Sequence, residues 1–361
     1  MQVEHKMEKT TIIFFIGLMN GGGVEKIILS YCENLDKNKF NFIFVTSKSS
    51  AQIPYDKIKY LNAKLVLTPD YYKDKLSYIK TVFKILKENK NSIFHCSYLS
   101  PLPYFIAKLV GIKNIIAHSH AYQTKVDFKH RIRRFLVCSF ANTYFACGKN
   151  TGKYAFKNKK FTIINNAINL NDFAFDENFK KHFFEKNNLF DKKIIGHIGR
   201  FSKEKNHKFI IDVFKKVLEK DPSFYLLLAG DGELFDEIKN YSNDIGVYDN
   251  ITFLGNVDNA NKIYSLFDIF ILPSLFEGFP IVLVEAQANG LKCLISDRVS
   301  KEIKFIDSCS FLTIKNIDLW VNELLNSNFL REKNSLKILA EKGFDIKTEA
   351  KKLEKIYESF K

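Results

Sequence analysis

The chain of 361 residues is 46% hydrophobic and 26% charged, a composition that excludes a disordered protein and a length that supports two domains. No apolar stretch reaches the roughly 20 residues that cross a bilayer, so no membrane-spanning helix is predicted. The six cysteines form no Cys-x-x-Cys pair, which favours a reducing cytoplasm over a zinc site or a disulfide framework.

Short apolar runs alternate with helical periodicity through the first half of the chain. Thr11–Leu18 is short, lies behind charged residues and precedes a glycine loop, so it predicts a first strand and not a signal peptide. Helical spacing of apolar residues predicts helices at Val24–Leu35, Leu76–Glu88 and Lys129–Phe140. The predicted strands are Ile12–Ile16, Phe42–Thr46, Lys64–Leu67, Ser92–His95, Asn114–His118, Thr143–Ala146 and Phe161–Ile164.

The same alternation restarts in the second half, which is typical of parallel sheets with helices on both faces. We therefore predict an α/β protein of two doubly wound, Rossmann-like domains that face each other across a cleft. The first domain is expected at 1–175, a charged linker at 176–193, the second domain at 194–345 and a closing helix at 346–361. The predicted strands of the second half are Lys193–Ile198, Phe224–Ala229, Ile251–Leu254, Ile269–Leu272 and Lys292–Ile295.

A glycine loop stands between the first predicted strand and the first predicted helix. Its residues Gly22 and Gly23 allow a ligand to approach the backbone, and a helix start exposes N–H groups to anions. The spacing is neither that of a dinucleotide-binding fingerprint nor that of a P-loop, so the loop alone also fits an ordinary tight turn.

Two histidines end another strand of the first half. Period-two alternation places His118 and His120 on one face, and His95 ends a neighbouring strand. A metal pair would need a third ligand, which the nearby sequence does not supply. His120 instead suits a hydrogen bond to a sugar hydroxyl, while a purely structural histidine remains the simpler alternative.

Cations follow the first strand of the second half. Arg200 and Lys205 lie in a strand-to-helix loop, from which a guanidinium fork and an ammonium group can bind a diphosphate. Two further strand ends carry turn residues, and Asn256 with Val257 lies where a nucleobase edge can meet backbone groups.

Two carboxylates eight residues apart follow the strand Ile269–Leu272. Glu277 lies in a loop that continues through Gly278, Phe279 and Pro280 into a helix bearing Glu285, which Gly290 is expected to end. Eight helical residues span about 12 Å, so the two carboxylates suit separate polar parts of one long ligand. The carboxyl end of a parallel strand is where open α/β sheets bind ligands, and the pattern predicts a nucleotide-sugar site.

Taken in order along the chain, these motifs resemble the retaining glycosyltransferases of family 4, which have the GT-B fold. The resemblance covers nearly the whole chain and is most specific in the second half, where four motifs occur in the family's order. They are Gly199-Arg200-Phe201-Ser202-Lys203-Glu204-Lys205-Asn206, Ala229-Gly230-Asp231-Gly232, Phe253-Leu254-Gly255-Asn256-Val257 and Pro273-Ser274-Leu275-Phe276-Glu277-Gly278-Phe279-Pro280.

The resemblance implies a role for each candidate residue. Arg200 and Lys205 would neutralise the donor diphosphate as it leaves, and Glu285 would bind the ribose. Glu277, with the backbone of Gly278 and Phe279, would hold the transferred sugar. In the first domain, the glycine loop would approach the phosphates and His120 would contact the sugar near the reacting centre. Family members retain the anomeric configuration and need no metal or other cofactor.

The predicted function is therefore transfer of a hexose or N-acetylhexosamine from a nucleotide-diphosphate sugar, most simply a UDP-sugar. The expected acceptor is a glycan or lipid-linked glycan in the biosynthesis of capsule, exopolysaccharide or lipopolysaccharide. The basic segment Lys125–Arg134 runs into Phe135 and suggests an anionic membrane surface as a further partner, with a solvated helix face as the alternative.

Two other functions fit parts of the sequence. A nucleotide-sugar epimerase or hydrolase would use the same two-domain scaffold. A nucleic-acid-binding protein would account for the positive charge, but neither an RNA-recognition aromatic motif nor a helix-turn-helix is present, so no nucleic-acid partner is expected.

Overall fold

The structure, a computed structural model, describes residues 9–120, 127–257 and 259–360. The chain divides into two compact units, one formed by residues 1–167 with 346–361 and the other by residues 168–345. Each unit contains one parallel sheet. Within the described ranges, no helix combines the length and the apolar character needed to cross a membrane.

The first unit has a seven-stranded sheet in the order β3-β2-β1-β4-β5-β6-β7. The five inner strands are rich in Ile and Phe and mostly buried, as expected for a sheet covered on both faces, whereas the two edge strands are largely exposed or half-buried. They are β1 (Thr10–Phe15), β2 (Phe40–Ser47), β3 (Lys64–Thr68), β4 (Ile93–Cys96), β5 (Asn114–Ser119), β6 (Thr143–Ala146) and β7 (Thr162–Ile163).

The helices of this unit begin at local capping signals. The side chain of Asp74 accepts a hydrogen bond from the backbone N–H of Ser77, and Asp127 does the same for His130. The helices are α1 (Gly23–Asn34), α2 (Tyr55–Tyr60), α3 (Lys75–Glu88), α4 (Pro101–Val110), α5 (Phe128–Phe140), α6 (Lys149–Phe156) and, from the end of the chain, α14 (Ile346–Glu358).

The second unit has a six-stranded sheet in the order β10-β9-β8-β11-β12-β13. Its strands are β8 (Lys193–Ile198), β9 (Phe224–Ala229), β10 (Ile251–Gly255), β11 (Ile269–Leu272), β12 (Lys292–Ser296) and β13 (Cys309–Leu312). Its helices are α7 (Glu177–Asn187), α8 (His207–Leu218), α9 (Phe235–Asp244), α10 (Ala260–Ile263), α11 (Ile281–Ala288), α12 (Ile317–Leu325) and α13 (Ser335–Glu341).

All twelve predicted strands are confirmed, with end residues that shift by at most two positions. The edge strand β13 was not predicted, because its sequence Cys-Ser-Phe-Leu is short and only its first residue is fully buried. The predicted α/β class with two Rossmann-like domains is also confirmed.

The division of the chain differs from the predicted domain boundary. The units separate after Ala167 rather than after residue 175, and the predicted linker 176–193 contains helix α7. Asp176 caps that helix by accepting from Phe179 N at 2.9 Å, and the charged sequence concealed it because Phe184 is its one buried side chain. Helix α14, at the predicted position of the closing helix, packs within the first unit although it follows the second unit in sequence.

In each sheet the strand order changes direction beside the unit's first strand. This switch lies between β1 and β4 in the first unit and between β8 and β11 in the second. Loops that leave neighbouring strands in opposite directions open a crevice at the carboxyl ends, where ligands of doubly wound sheets bind. The glycine loop follows β1, and the loops that carry Lys205 and Glu277 follow β8 and β11, so these candidate residues lie at the two switch points.

Candidate active site

The central contact of the second unit joins Lys205 to Glu277. Lys205 follows β8 and Glu277 follows β11, so the two loops meet at the switch point. Lys205 Nζ lies 2.6 Å from Glu277 Oε1, and the hydroxyl of Ser274 donates to the same oxygen at 3.0 Å. Their side chains are only 18% and 14% exposed, so the ion pair is largely shielded from water.

Backbone contacts hold these two loops together. The N–H of Leu275 donates to the carbonyl oxygen of Glu204 at 2.8 Å, and the side-chain amide of Asn206 donates to the carbonyl oxygen of Pro273 at 3.1 Å. A Cβ at Gly199 would lie 3.3 Å from Lys205 Cδ, so glycine leaves room for the lysine to cross the strand end. The pair is thus positioned by the fold and not by a flexible surface contact.

Arg200 lies on the same loop but is far more accessible. Its side chain is 63% exposed and forms an ion pair with Glu233 at 3.1 Å. The carboxyl group of Glu204 has a lowered pKa, because it accepts hydrogen bonds from the backbone N–H of Glu204 itself and from the side chain of Ser202. The positive charges of Arg200 and Lys205 lower this pKa further. Both cations therefore act on one small region, as a diphosphate site requires.

Glu285 lies on α11, the helix that follows β11. Tyr264, which is fully buried, donates its hydroxyl to Glu285 Oε2 at 2.5 Å. Burial, together with this carboxylate, raises the pKa of the Tyr264 phenol well above its usual value, so the phenol remains a donor. The half-buried carboxylate is thereby held in one orientation.

The segment between the two carboxylates is less helical than expected. Helix α11 begins at Ile281 with Pro280 at its N-cap, so Glu277 lies in the loop before it, and the estimate of eight helical residues is wrong. Gly290 follows the helix end with φ of +78°, which confirms the predicted stop. Phe279 is 8% exposed and stacks on Phe344, with ring centroids 5.9 Å apart, while Gly278 is half-buried.

Asn256 and Val257 lie at the end of β10, which β9 separates from β8. Asn256 is exposed and Val257 is half-buried. The N–H of Gly230 donates to the carbonyl oxygen of Gly255 at 2.8 Å, which ties this loop to the end of β9. The proposed nucleobase contact at Asn256 and Val257 remains a prediction.

In the first unit, the glycine loop encloses a carboxylate that sequence reasoning missed. Glu25 is 6% exposed, and its Oε1 accepts from the backbone N–H of Asn20 at 2.5 Å. A Cβ at Gly22 would lie 2.7 Å from Glu25 Oε2, so this glycine admits the carboxylate. Gly23 begins helix α1, and phosphate binding by Gly22 and Gly23 remains a prediction.

The histidines of the first unit are brought together as the strand pattern predicts. The rings of His118 and His120 lie with centroids 4.0 Å apart, and His95 Nε2 lies 3.0 Å from His118 Nδ1. Burial lowers the pKa of His95 to about 3 and that of His120 to about 4, so both are neutral at pH 7. Among the described residues, no group of three His, Cys, Asp or Glu side chains is arranged to hold a metal ion.

Three partner residues were not singled out from the sequence. Glu233 and Tyr264 lack any local signal, because only the fold brings them to Arg200 and Glu285. Glu25 does have a local sequence signal, because it stands three residues after the N-cap Gly22. At this spacing a glutamate side chain can fold back onto the start of its helix.

Two family models match the chain over the regions that carry these residues. The model described as Glycosyl transferases group 1 matches residues 178–308, which include every candidate residue of the second unit. The model described as Glycosyltransferase Family 4 matches residues 21–172, which include the glycine loop and the histidines.

Relatives and solved structures agree with these models. A putative glycosyltransferase of Bacillus subtilis, EpsF, is 29% identical over 81% of this chain and 80% of its own. The UDP-Gal:alpha-D-GlcNAc-diphosphoundecaprenol alpha-1,3-galactosyltransferase of Escherichia coli is 26% identical over 90% of this chain and 89% of its own. Anabaena HepE, crystallised with UDP and glucose, superposes with a TM-score of 0.80 at 15% identity, covering 96% of this chain and 99% of that one. The chain belongs to the family 4 glycosyltransferases and has their GT-B fold.

Proposed function

We propose that this glycosyltransferase transfers a hexose or N-acetylhexosamine, with retention of configuration, from a UDP-sugar to a lipid-linked glycan of surface polysaccharide biosynthesis. The observation that carries the proposal is the shielded contact of Lys205 with Glu277 at the switch point, beside the exposed Arg200. The named substrates of the Escherichia coli relative and the UDP and glucose bound to HepE support the choice of donor and acceptor.

The charges of this region suit departure of a nucleoside diphosphate. As the bond from the anomeric carbon to the diphosphate oxygen breaks, negative charge grows on the leaving group, and Arg200 with Lys205 stabilises it. The acceptor hydroxyl forms the new bond on the same face and gives its proton to the departing phosphate oxygen. Two resident cations perform the neutralisation that a divalent ion performs elsewhere, so we propose that transfer is independent of metal.

Glu277 and Glu285 suit the hydroxyl groups of the donor. The contacts of Lys205 and Ser274 fall on Glu277 Oε1, which leaves Oε2 to accept from the transferred sugar. In this proposal Glu285, which Tyr264 orients, accepts hydrogen bonds from the ribose hydroxyls. Hydrogen bonds to a charged acceptor contribute about 1.5–3 kcal/mol each, enough to orient a sugar nucleotide.

The proposed function is tested by product analysis in the presence of EDTA. The protein is incubated with UDP-galactose, UDP-glucose or UDP-N-acetylglucosamine and a polyprenyl-diphosphate-linked sugar, and the anomeric proton of the product is examined by NMR. We expect transfer from an α-linked donor to give an α-linked product. A β-linked product contradicts retention, and epimerised or hydrolysed donor without transfer favours the epimerase or hydrolase.

Replacing Glu285 with Gln is expected to weaken UDP binding by about 10- to 100-fold, because a charged acceptor of the ribose hydroxyls becomes neutral. Isothermal titration with UDP measures the effect. Glu323→Gln is the matched control, since Glu323 also has a polar partner, Lys292 at 2.8 Å, within the same unit. Equal affinity of the Glu285 variant and the unaltered protein would show that the ribose lies elsewhere.

The exposed side of α5 carries both apolar and basic residues. Phe128, Ile132 and Phe135 are 75%, 45% and 70% exposed and follow helical spacing, so they share one face. Arg131 and Arg133 are exposed on the same helix, while Lys125 and Val126 lie outside the described residues. A nearby hollow has Arg131, Arg134, Lys157 and Lys159 as its charged lining residues.

This combination supports peripheral binding of an anionic membrane, where a lipid-linked acceptor resides. In liposome flotation, Arg131→Gln with Arg133→Gln is expected to weaken partitioning onto anionic vesicles by about 30-fold, since each surface cation contributes about 1 kcal/mol. Lys80→Gln with Lys84→Gln on the exposed side of α3 removes the same charge and serves as control. Equal recovery with neutral and anionic vesicles contradicts an electrostatic contribution.

A further inference from the structure

Helix α14 places one buried hydroxyl group against strand β4 of the first unit. Tyr357 is fully buried, and its ring packs edge-on against Phe40 at 5.9 Å. Its hydroxyl oxygen lies 2.6 Å from Nδ1 of His95 at the end of β4. A residue of the predicted closing helix therefore reaches a histidine on β4, one of the two strands at the switch point.

The hydrogen bonds determine which nitrogen of each ring carries its proton. Burial raises the pKa of Tyr357 well above its usual value and lowers the pKa of His95 to about 3, so the phenol is protonated and the imidazole neutral. A buried O–H needs an acceptor, so it donates to His95 Nδ1. His95 then carries its proton on Nε2 and donates to His118 Nδ1 at 3.0 Å, which leaves the His118 proton on Nε2.

His118 in turn packs on His120. Their rings lie with centroids 4.0 Å apart and planes inclined by 37°. The amide oxygen of Asn166 accepts from His120 Nδ1 at 3.2 Å, so Nε2 of His120 carries a lone pair. Within the described residues, the buried Nε2 atoms of both His118 and His120 have no protein partner.

We propose that Tyr357 and His95 are positioning residues that fix His118 as an Nε2–H donor stacked on His120, whose Nε2 is an acceptor. A donor and an acceptor on two neighbouring rings match a substrate hydroxyl, which accepts and donates, better than a phosphate oxygen, which only accepts. The inference rests on the proposed function for its substrate, a sugar, and assigns to helix α14 the task of orienting the histidine pair.

The arrangement is tested with Tyr357→Phe, which removes the hydroxyl and keeps the ring. Long-range proton–nitrogen NMR of histidine-labelled protein at pH 7.5 reports which nitrogen is protonated, with single His→Gln variants for assignment. We expect protons on Nε2 of His95 and His118 in the unaltered protein and a mixture of tautomers in the variant. Protons on Nδ1 of these rings, or tautomers unchanged by Tyr357→Phe, overturn the proposal.

Tyr144→Phe is the matched control. Tyr144 is also a mostly buried tyrosine of the first unit, but its hydroxyl donates to the carbonyl oxygens of Cys138 and Ala141, at 2.9 and 2.8 Å. We expect this variant to keep the histidine tautomers of the unaltered protein, which shows that loss of a buried hydroxyl alone does not change them.

Kinetics supply the second measurement. Tyr357→Phe is expected to lower kcat by about tenfold and to leave the KM of the donor within about twofold, since a misoriented group impairs turnover more than binding. Shifted tautomers with unchanged kcat would overturn the positioning role. If the unaltered protein transfers no sugar, the proposed function fails, and the NMR spectra still decide whether the hydroxyl sets the tautomers.

Discussion

Replacing Lys205 with Ala is expected to lower kcat by about 100- to 1,000-fold, the usual effect of removing one preorganised donor that stabilises developing negative charge. Lys205 is held 2.6 Å from Glu277 in a contact that is mostly shielded from water. In such surroundings an ammonium group acts on a leaving diphosphate more strongly than it does in bulk solvent. Single-turnover kinetics with saturating donor measure the effect on the chemical step.

Two further variants separate the roles of the pair. Lys193→Ala breaks another ion pair of the second unit, with Asp221 at 2.8 Å, at the opposite end of β8, and is expected to keep near-normal turnover. Lys205→Ala with Glu277→Gln removes both charges, so a loss caused only by an unpaired carboxylate would be relieved in it. Full activity in Lys205→Ala would refute the assigned role.

Acidification from pH 7 to pH 4.5 is expected to lower the free energy of unfolding by several kcal/mol. Burial lowers the pKa of histidines in both units: to about 4 for His120, to about 3 for His95 and His197, to about 2 for His207, and well below the usual value for His118. In the unfolded chain each has a pKa near 6.5 and takes up a proton first.

The free energy of unfolding falls as the pH is lowered, because the unfolded chain binds more protons than the folded chain. The contribution of these neutral histidines to stability is complete above pH 6.5 and is lost as the pH falls toward their folded pKa values of about 4 and below. One such histidine contributes up to about 2.7 kcal/mol between pH 6.5 and pH 4.5. Carboxyl groups with a lowered pKa, such as Asp221 at about 2, affect the free energy of unfolding mainly below pH 4.5.

Urea unfolding at several pH values measures how much the free energy of unfolding decreases in each unit. The single tryptophan, Trp320, is buried in the second unit, so its fluorescence reports that unit, while circular dichroism reports both. His207→Phe, which replaces one ring stacked on Phe201 at 3.9 Å, is expected to reduce the pH dependence seen by fluorescence. Exposed His182→Gln should leave it unchanged. Equal stability at pH 6.5 and pH 4.5 would contradict the account.

The strands were predictable because buried parallel strands are continuous apolar runs, such as Ile269–Leu272, which need no tertiary information to stand out. Helix α7 and strand β13 were missed for the opposite reason. Most residues of α7 are charged or polar and exposed, and β13 lies at a sheet edge with three half-buried residues. A helix or strand with few buried residues has no clear apolar pattern in its sequence, so it is not predicted from sequence alone.

The sequence identified the candidate site residues, but it did not predict which of them contact each other. Arg200, Lys205, Glu277 and Glu285 were recognised by their positions after strands, and the structure brings Lys205 and Glu277 into contact. That contact depends on β8 and β11 being neighbours in the sheet, although β9 and β10 lie between them in sequence. Strand order is a property of tertiary packing, so no local motif encodes it.

A crystal structure of the protein with UDP would show which side chains hold the nucleotide. We expect diphosphate oxygens within hydrogen-bonding distance of Lys205 Nζ and the Arg200 guanidinium, with the ribose hydroxyls on the carboxylate of Glu285. A nucleotide bound away from the ends of β8 and β11, or with its diphosphate out of reach of both cations, would contradict this expectation.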